Sequence, residues 1–104
     1  MDKWKDAVFK HVEEVACECT GATTKPVTTE NLYKGVTKTP LNVSLARSLA
    51  MMVLHDIYAM TYREIAARAG MTIRAVMRLT ANAREFVFSD EIFNKTYQLI
   101  IQKL

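Results

Sequence analysis

The sequence predicts an all-α protein, a compact bundle of about five to six helices around a helix-turn-helix. Three observations lead there. Apolar residues recur at three- and four-residue intervals in each long segment, no stretch alternates with the period of a strand, and the run Thr61 to Ala81 carries two helix-start signals on either side of Gly70.

That run reads T-Y-R-E-I-A-A-R-A-G-M-T-I-R-A-V-M-R-L-T-A and organises the rest. Ile65, Ala66, Val76 and Leu79 give each of two short helices an apolar face, and Gly70 supplies the positive φ at which the chain leaves the first of them. Thr61 and Glu64 form a capping box, and Thr72 is placed to cap the second helix. With Val76 at the centre of the buried side, 100° per residue turns Ile73, Thr80, Ala83 and Val87 inward and Arg74, Arg78, Ala81 and Glu85 outward. Two arginines and a small residue on the outward side suit a helix that enters the major groove of DNA.

The remaining elements follow in order. Trp4, Val8, Val12, Val15 and Cys19 mark a first helix over about 3–19, ended by Gly21, a threonine-rich run and Pro26. Thr28 or Thr29 is expected to cap a short helix, E-N-L-Y-K-G, that stops at Gly35, and Thr37 to Pro40 make a turn. From Asn42 or Ser44, the positions Leu45, Leu49, Val53 and Ile57 with Met52 mark a buried central helix of about fifteen residues. The helix begun at Thr72 continues to Phe88, which extends the helix-turn-helix over 61–88. Ser89 or Asp90 then caps a last helix, with Ile92, Phe93, Thr96, Leu99, Ile100 and Leu104 toward the core.

At 104 residues and 50% hydrophobic, the chain suits one domain, residues 1–104, with one modest core. Net charge is +3, yet residues 61–84 hold five arginines (63, 68, 74, 78 and 84) against Glu64 alone, so this segment is +4 and the remainder −1. All eight lysines lie elsewhere, and arginine is the better bidentate partner of phosphate and guanine. The start M-D-K-W-K-D lacks the apolar run of a secretory signal, and no stretch reaches the roughly 18 apolar residues of a membrane span, so a cytoplasmic protein without membrane association is expected.

With that helix order in place, nearly the whole chain resembles the C-terminal DNA-binding domain of the bacterial replication initiator DnaA, within the Trp-repressor-like superfamily. The matching pieces are V-E-E-V-A, N-L-Y-K-G, A-R-S-L-A-M-M-V-L, M-T-Y-R-E-I-A-A-R-A-G and the final S-D-E-I-F-N-K-T-Y-Q-L-I-I-Q-K-L. The resemblance implies binding of double-stranded DNA, and it implies a minor-groove contact for Arg47, where the family's A-R-P-R-Q becomes Ser44-Leu45-Ala46-Arg47-Ser48. The family's G-G-R-D-H-T-T-V signature is reduced here to its glycine and valine, and no G-x-x-x-x-G-K-[ST] is present, so neither preference for the initiator's box nor nucleotide binding is expected. A shorter likeness, E-I-A-A-R-A-G-M-T-I-R-A-V, is to the sigma-factor region that reads the −35 element.

The candidate DNA contacts are Thr72, Arg74, Ala75, Met77 and Arg78 on the second helix, Thr61, Arg63 and Arg68 on the first, and Arg47. Four to six phosphate-neutralising cations give a log-log salt slope near −4 to −5. The function expected is that of a small replication-accessory or transcription-regulatory protein. The alternative is an interaction module that turns its arginine face toward an acidic protein partner. Trp4 is expected to be a packing anchor or a contact within a homodimer. His11, Cys17 and Cys19 point to different sides of one helix and lack a fourth ligand, so no metal site is expected. His55 and Asp56 point about 100° apart with no nucleophile beside them, so neither catalysis nor a cofactor is expected. Five methionines (51, 52, 60, 71 and 77) are read as core filler, Met77 alone flanking the DNA side.

Overall fold

The computed structural model describes residues 3–34 and 41–104, which form five helices and, among the described residues, no strand. They are α1 (Lys3–Thr23), α2 (Leu41–Asp56), α3 (Tyr62–Ala69), α4 (Ile73–Ser89) and α5 (Glu91–Lys103). α2 is the centre. Ten consecutive residues of it, Leu45 to Leu54, are buried, and it packs on each of the other four helices. A helix covered on all sides keeps no polar stripe, which is why this segment reads as apolar all round. The main core draws Phe9, Val12 and Cys19 from α1, Ile65, Ala66 and Ala69 from α3, Val76 and Ala83 from α4, and Phe93 and Ile100 from α5.

Several expectations are corrected. α1 runs four residues past Cys19 to Thr23, because Gly21 stays helical and Thr20 and Thr23 return their hydroxyls to carbonyls one turn back. Thr23 Oγ1 also meets Thr96 Oγ1 at 2.7 Å, tying the end of α1 to α5. Trp4 is 59% exposed, and Phe9 anchors this helix instead. Residues 29–31 form a turn where a short helix was expected. Asn31 Oδ1 accepts from the Thr28 amide and Asn31 N–H donates to the Thr28 carbonyl, which closes a single turn. The stop at Gly35 and the turn at Thr37 to Pro40 lie outside the described residues. Ile57 falls beyond α2 and is exposed, as is Ile92 on α5.

Past α2 the chain turns at Ala59, whose φ is +57°, and His55 stacks on Tyr62 with ring centroids 4.0 Å apart. His55 Nδ1 lies 2.8 Å from the Met60 carbonyl, while the adjacent Asp56 holds Arg84, so the two side chains serve different contacts. Together these set where α3 begins. Cys17, Val27, Leu32 and Ala46 form a second small apolar cluster under the segment that follows α1. Burial, with Glu13 and Glu14 nearby, pushes the Cys17 thiol up to about 11.

The start of α3 is as expected. Thr61 Oγ1 accepts from Glu64 N–H at 3.1 Å, and Thr61 N–H donates to Glu64 Oε1 at 3.0 Å. Lys5 Nζ reaches Glu64 Oε2 at 2.7 Å, and this bond, with the Thr61 amide, holds the Glu64 carboxyl down at about 2. The folded value lies below the usual 4.5, so the carboxylate's contribution to stability is fully present above pH 4.5 and is lost as pH falls through 2. Melting of Glu64→Gln should therefore fall below the parent at pH 6 and converge with it toward pH 2. A gap that stays constant across that range would contradict this origin.

Candidate nucleic-acid interface

α3 ends at Gly70, with φ +68° and its amide donating to the Ala66 carbonyl. A Cβ there would meet nothing within 4 Å, so it is the left-handed backbone and not lack of room that calls for glycine. Thr72 then caps α4, its hydroxyl accepting from the Ala75 amide at 3.1 Å, which leaves the O–H hydrogen to donate outward from the helix N-terminus. α3 packs against α4, and α4 against α2 and α5.

Val76, Thr80, Ala83 and Val87 face the core, as their spacing requires. Arg74, Arg78, Ala81 and Glu85 are exposed, as expected of the opposite side. Ile73 departs from expectation at 40% exposed. It stands in the first turn of α4, before the stretch that α2 and α5 cover. Met77 is 49% exposed, Ala75 is partly covered, and Arg63 on α3 is exposed.

The six arginines divide into two groups. Arg68 lies across α1, where its Nε and Nη2 donate to the two oxygens of Glu13 at 3.1 and 2.8 Å, and its Nη1 to Asp6 at 2.7 Å. Its guanidinium also sits 5.5 Å from the centre of the Phe9 ring. Glu13, only 5% exposed, needs this partner, and the pairing drives the Arg68 pKa above its usual value. Arg84 makes a two-pronged pair with Asp56. Arg47 is 8% exposed, with Nε donating to the Leu32 carbonyl and Nη2 to the Lys34 carbonyl, both at 2.9 Å. Arg47 and Arg68 thus make internal bonds, unlike the candidate arginines whose side chains stand in solvent. Thr61 is exposed, but its hydroxyl already serves the capping box.

What remains at the surface is Arg63, Arg74 and Arg78. Among the described residues no ion pair engages any of the three. No helix of the described residues is long and apolar enough to cross a membrane. The pairing partners of Arg68 and Arg84 lie 55, 62 and 28 residues away in the chain, so periodicity within the motif held no sign of them. The acidic residues of α1 were the available hint. No family model, curated protein or solved structure matches the chain.

Proposed function

We propose that the chain is a sequence-specific double-stranded-DNA-binding protein of the DnaA C-terminal type, cytoplasmic, with residues 1–104 as one helix-turn-helix domain, acting in replication or transcription. α4 enters the major groove by its N-terminal half, and the N-terminal end of α4 with the Thr72 hydroxyl faces phosphate. The observation that carries the proposal is the sorting of the arginines. Those with internal work are paired, and the three left over, Arg63, Arg74 and Arg78, stand on α3 and on the outward side of α4.

Three cations in place of five change the expected salt dependence. At about −0.9 per phosphate neutralised, the log-log slope becomes about −2.7 and not −4 to −5. Titration of labelled duplex over a salt series measures it. A slope near zero, or no binding at low salt, would favour an acidic protein partner for the same face.

Reading and positioning should also separate. Arg74→Ala and Arg78→Ala are expected to lose about 1–3 kcal/mol of discrimination between a selected site and random duplex, whereas Arg63→Ala weakens both about equally. Each leaves stability within about 0.5 kcal/mol of the parent, since all three side chains are exposed. An unchanged ratio of the two affinities in Arg74→Ala and Arg78→Ala would remove α4 as the reader. The initiator's own box should gain no preference over random duplex.

A further inference from the structure

The apolar residues of α4 divide in a way its periodicity does not dictate. Val76 is fully buried, yet Ile73 and Met77, the residues three before and one after it, are 40% and 49% exposed. At 100° per residue from Val76, Ile73 stands about 60° and Met77 about 100° round the helix, and Ala81 and Arg74 follow on the same flank at about 140° and 160°. Ile73 and Met77 are four residues apart, as Arg74 and Arg78 are, so each pair is stacked about 6 Å along the axis. The first turns of α4 thus carry an apolar rail beside a guanidinium rail. No acidic residue stands among residues 73–84.

Isolated surface methionines and isoleucines are ordinary and need no account. Here the two are not isolated, for they adjoin the arginines that the proposed function assigns to base reading. In the major groove nearly every base-edge group is a hydrogen-bond donor or acceptor. The one apolar group of unmodified DNA there is the C5-methyl of thymine, while the guanine edge with its O6 and N7 acceptors suits arginine. An apolar rail beside a guanidinium rail is complementary to thymine beside guanine.

We infer that Ile73 and Met77 read thymine methyl groups next to guanines held by Arg74 and Arg78. The inference rests on the duplex-binding reading and adds to it the chemical class of the bases. It makes Ile73 and Met77 specificity-determining residues, through contacts that form no hydrogen bond. Taking one methyl group out of water is worth about a fourfold change in affinity.

The test begins with a duplex selected from a random pool by the unaltered protein. Each thymine of that duplex is then replaced in turn by deoxyuridine, which removes the methyl and keeps the pairing and all groove donors and acceptors. At one or two positions adjoining guanine, affinity should fall about fourfold, with the other positions unchanged. Met77→Ala should bind the thymine and uracil duplexes equally at one such position, and Ile73→Ala at one such position. The first arm does not depend on any variant folding. Equal affinity for thymine and uracil at every position overturns methyl reading while leaving duplex binding in place. Persistence of the difference in both variants overturns the assignment to Ile73 and Met77. Failure to enrich any duplex overturns the proposed function along with this inference.

Discussion

Arg68→Ala should lower stability by about 3 kcal/mol or more, the largest effect expected of any arginine substitution in the molecule. The range for breaking a buried ion pair from one side is about 3–5 kcal/mol, because the remaining charge is left uncompensated in a poor solvent. Glu13, at 5% exposed, is that remaining charge, and Asp6 loses its partner in the same step. The Arg68 side chain keeps 26% of its surface in water, which favours the lower end. Urea unfolding with an unchanged m-value measures the loss. Replacing both Glu13 and Arg68 by leucine should recover much of it, since no lone charge is then left behind. A loss below about 1 kcal/mol in Arg68→Ala would mean that Glu13 finds water without it, and Arg68 would return to the candidate DNA contacts.

The second large effect is expected at Arg47, where the family resemblance implied a minor-groove contact. Its two hydrogen bonds are charge-assisted and hold the Leu32 and Lys34 carbonyls against α2. Bonds of that kind contribute about 1.5–3 kcal/mol each and are not additive, so Arg47→Ala should cost about 2–4 kcal/mol. The cluster of Cys17, Val27 and Leu32 beneath that segment should loosen in consequence, and Cys17 should react faster with a thiol reagent as its burial is relieved. Arg47→Lys should recover little, because one ammonium does not span two carbonyls as a guanidinium fork does. Weakened DNA binding at unchanged stability and unchanged thiol reactivity would instead restore the minor-groove role.

These two residues show where sequence reasoning stops. Capping is local chemistry, so Thr61 with Glu64, Gly70, Thr72 and Asp90 could each be located from neighbours three or four positions away. The buried side of α4 was legible for the same reason. Partner choice by a long side chain is not local. Arginine's long stem carries its guanidinium well away from its own helix, and nothing within residues 61–84 distinguishes Arg68, which turns to α1, from Arg74, which stays in solvent. The turn over residues 29–31 uses the bond that also opens a helix, a side chain accepting from the amide three residues before it, so a start signal alone does not tell a single turn from a helix. Rotation about the axis places Ile73 inward, but rotation carries no information about distance along the axis. A residue at the right angle but beyond the end of its neighbours is uncovered.

The attachment of α3 has a consequence for how the molecule breathes. No Cα of α1 comes within 8 Å of one in α3, and side chains join the two helices across that gap, among them Lys5 to Glu64, Arg68 to Asp6 and Glu13, and the Arg68 guanidinium over the Phe9 ring. Among the helices of the described residues α3 is also the shortest, at eight residues. At 0.1 M salt, charges more than about 10 Å apart are largely screened, whereas pairs in contact keep much of their attraction, most of all where one partner is as buried as Glu13. Rising ionic strength therefore weakens mainly the more exposed attachments, Lys5 to Glu64 and Arg68 to Asp6, and leaves Arg68 on the buried Glu13, so α3 is gripped by charge on one side and by apolar packing on the other.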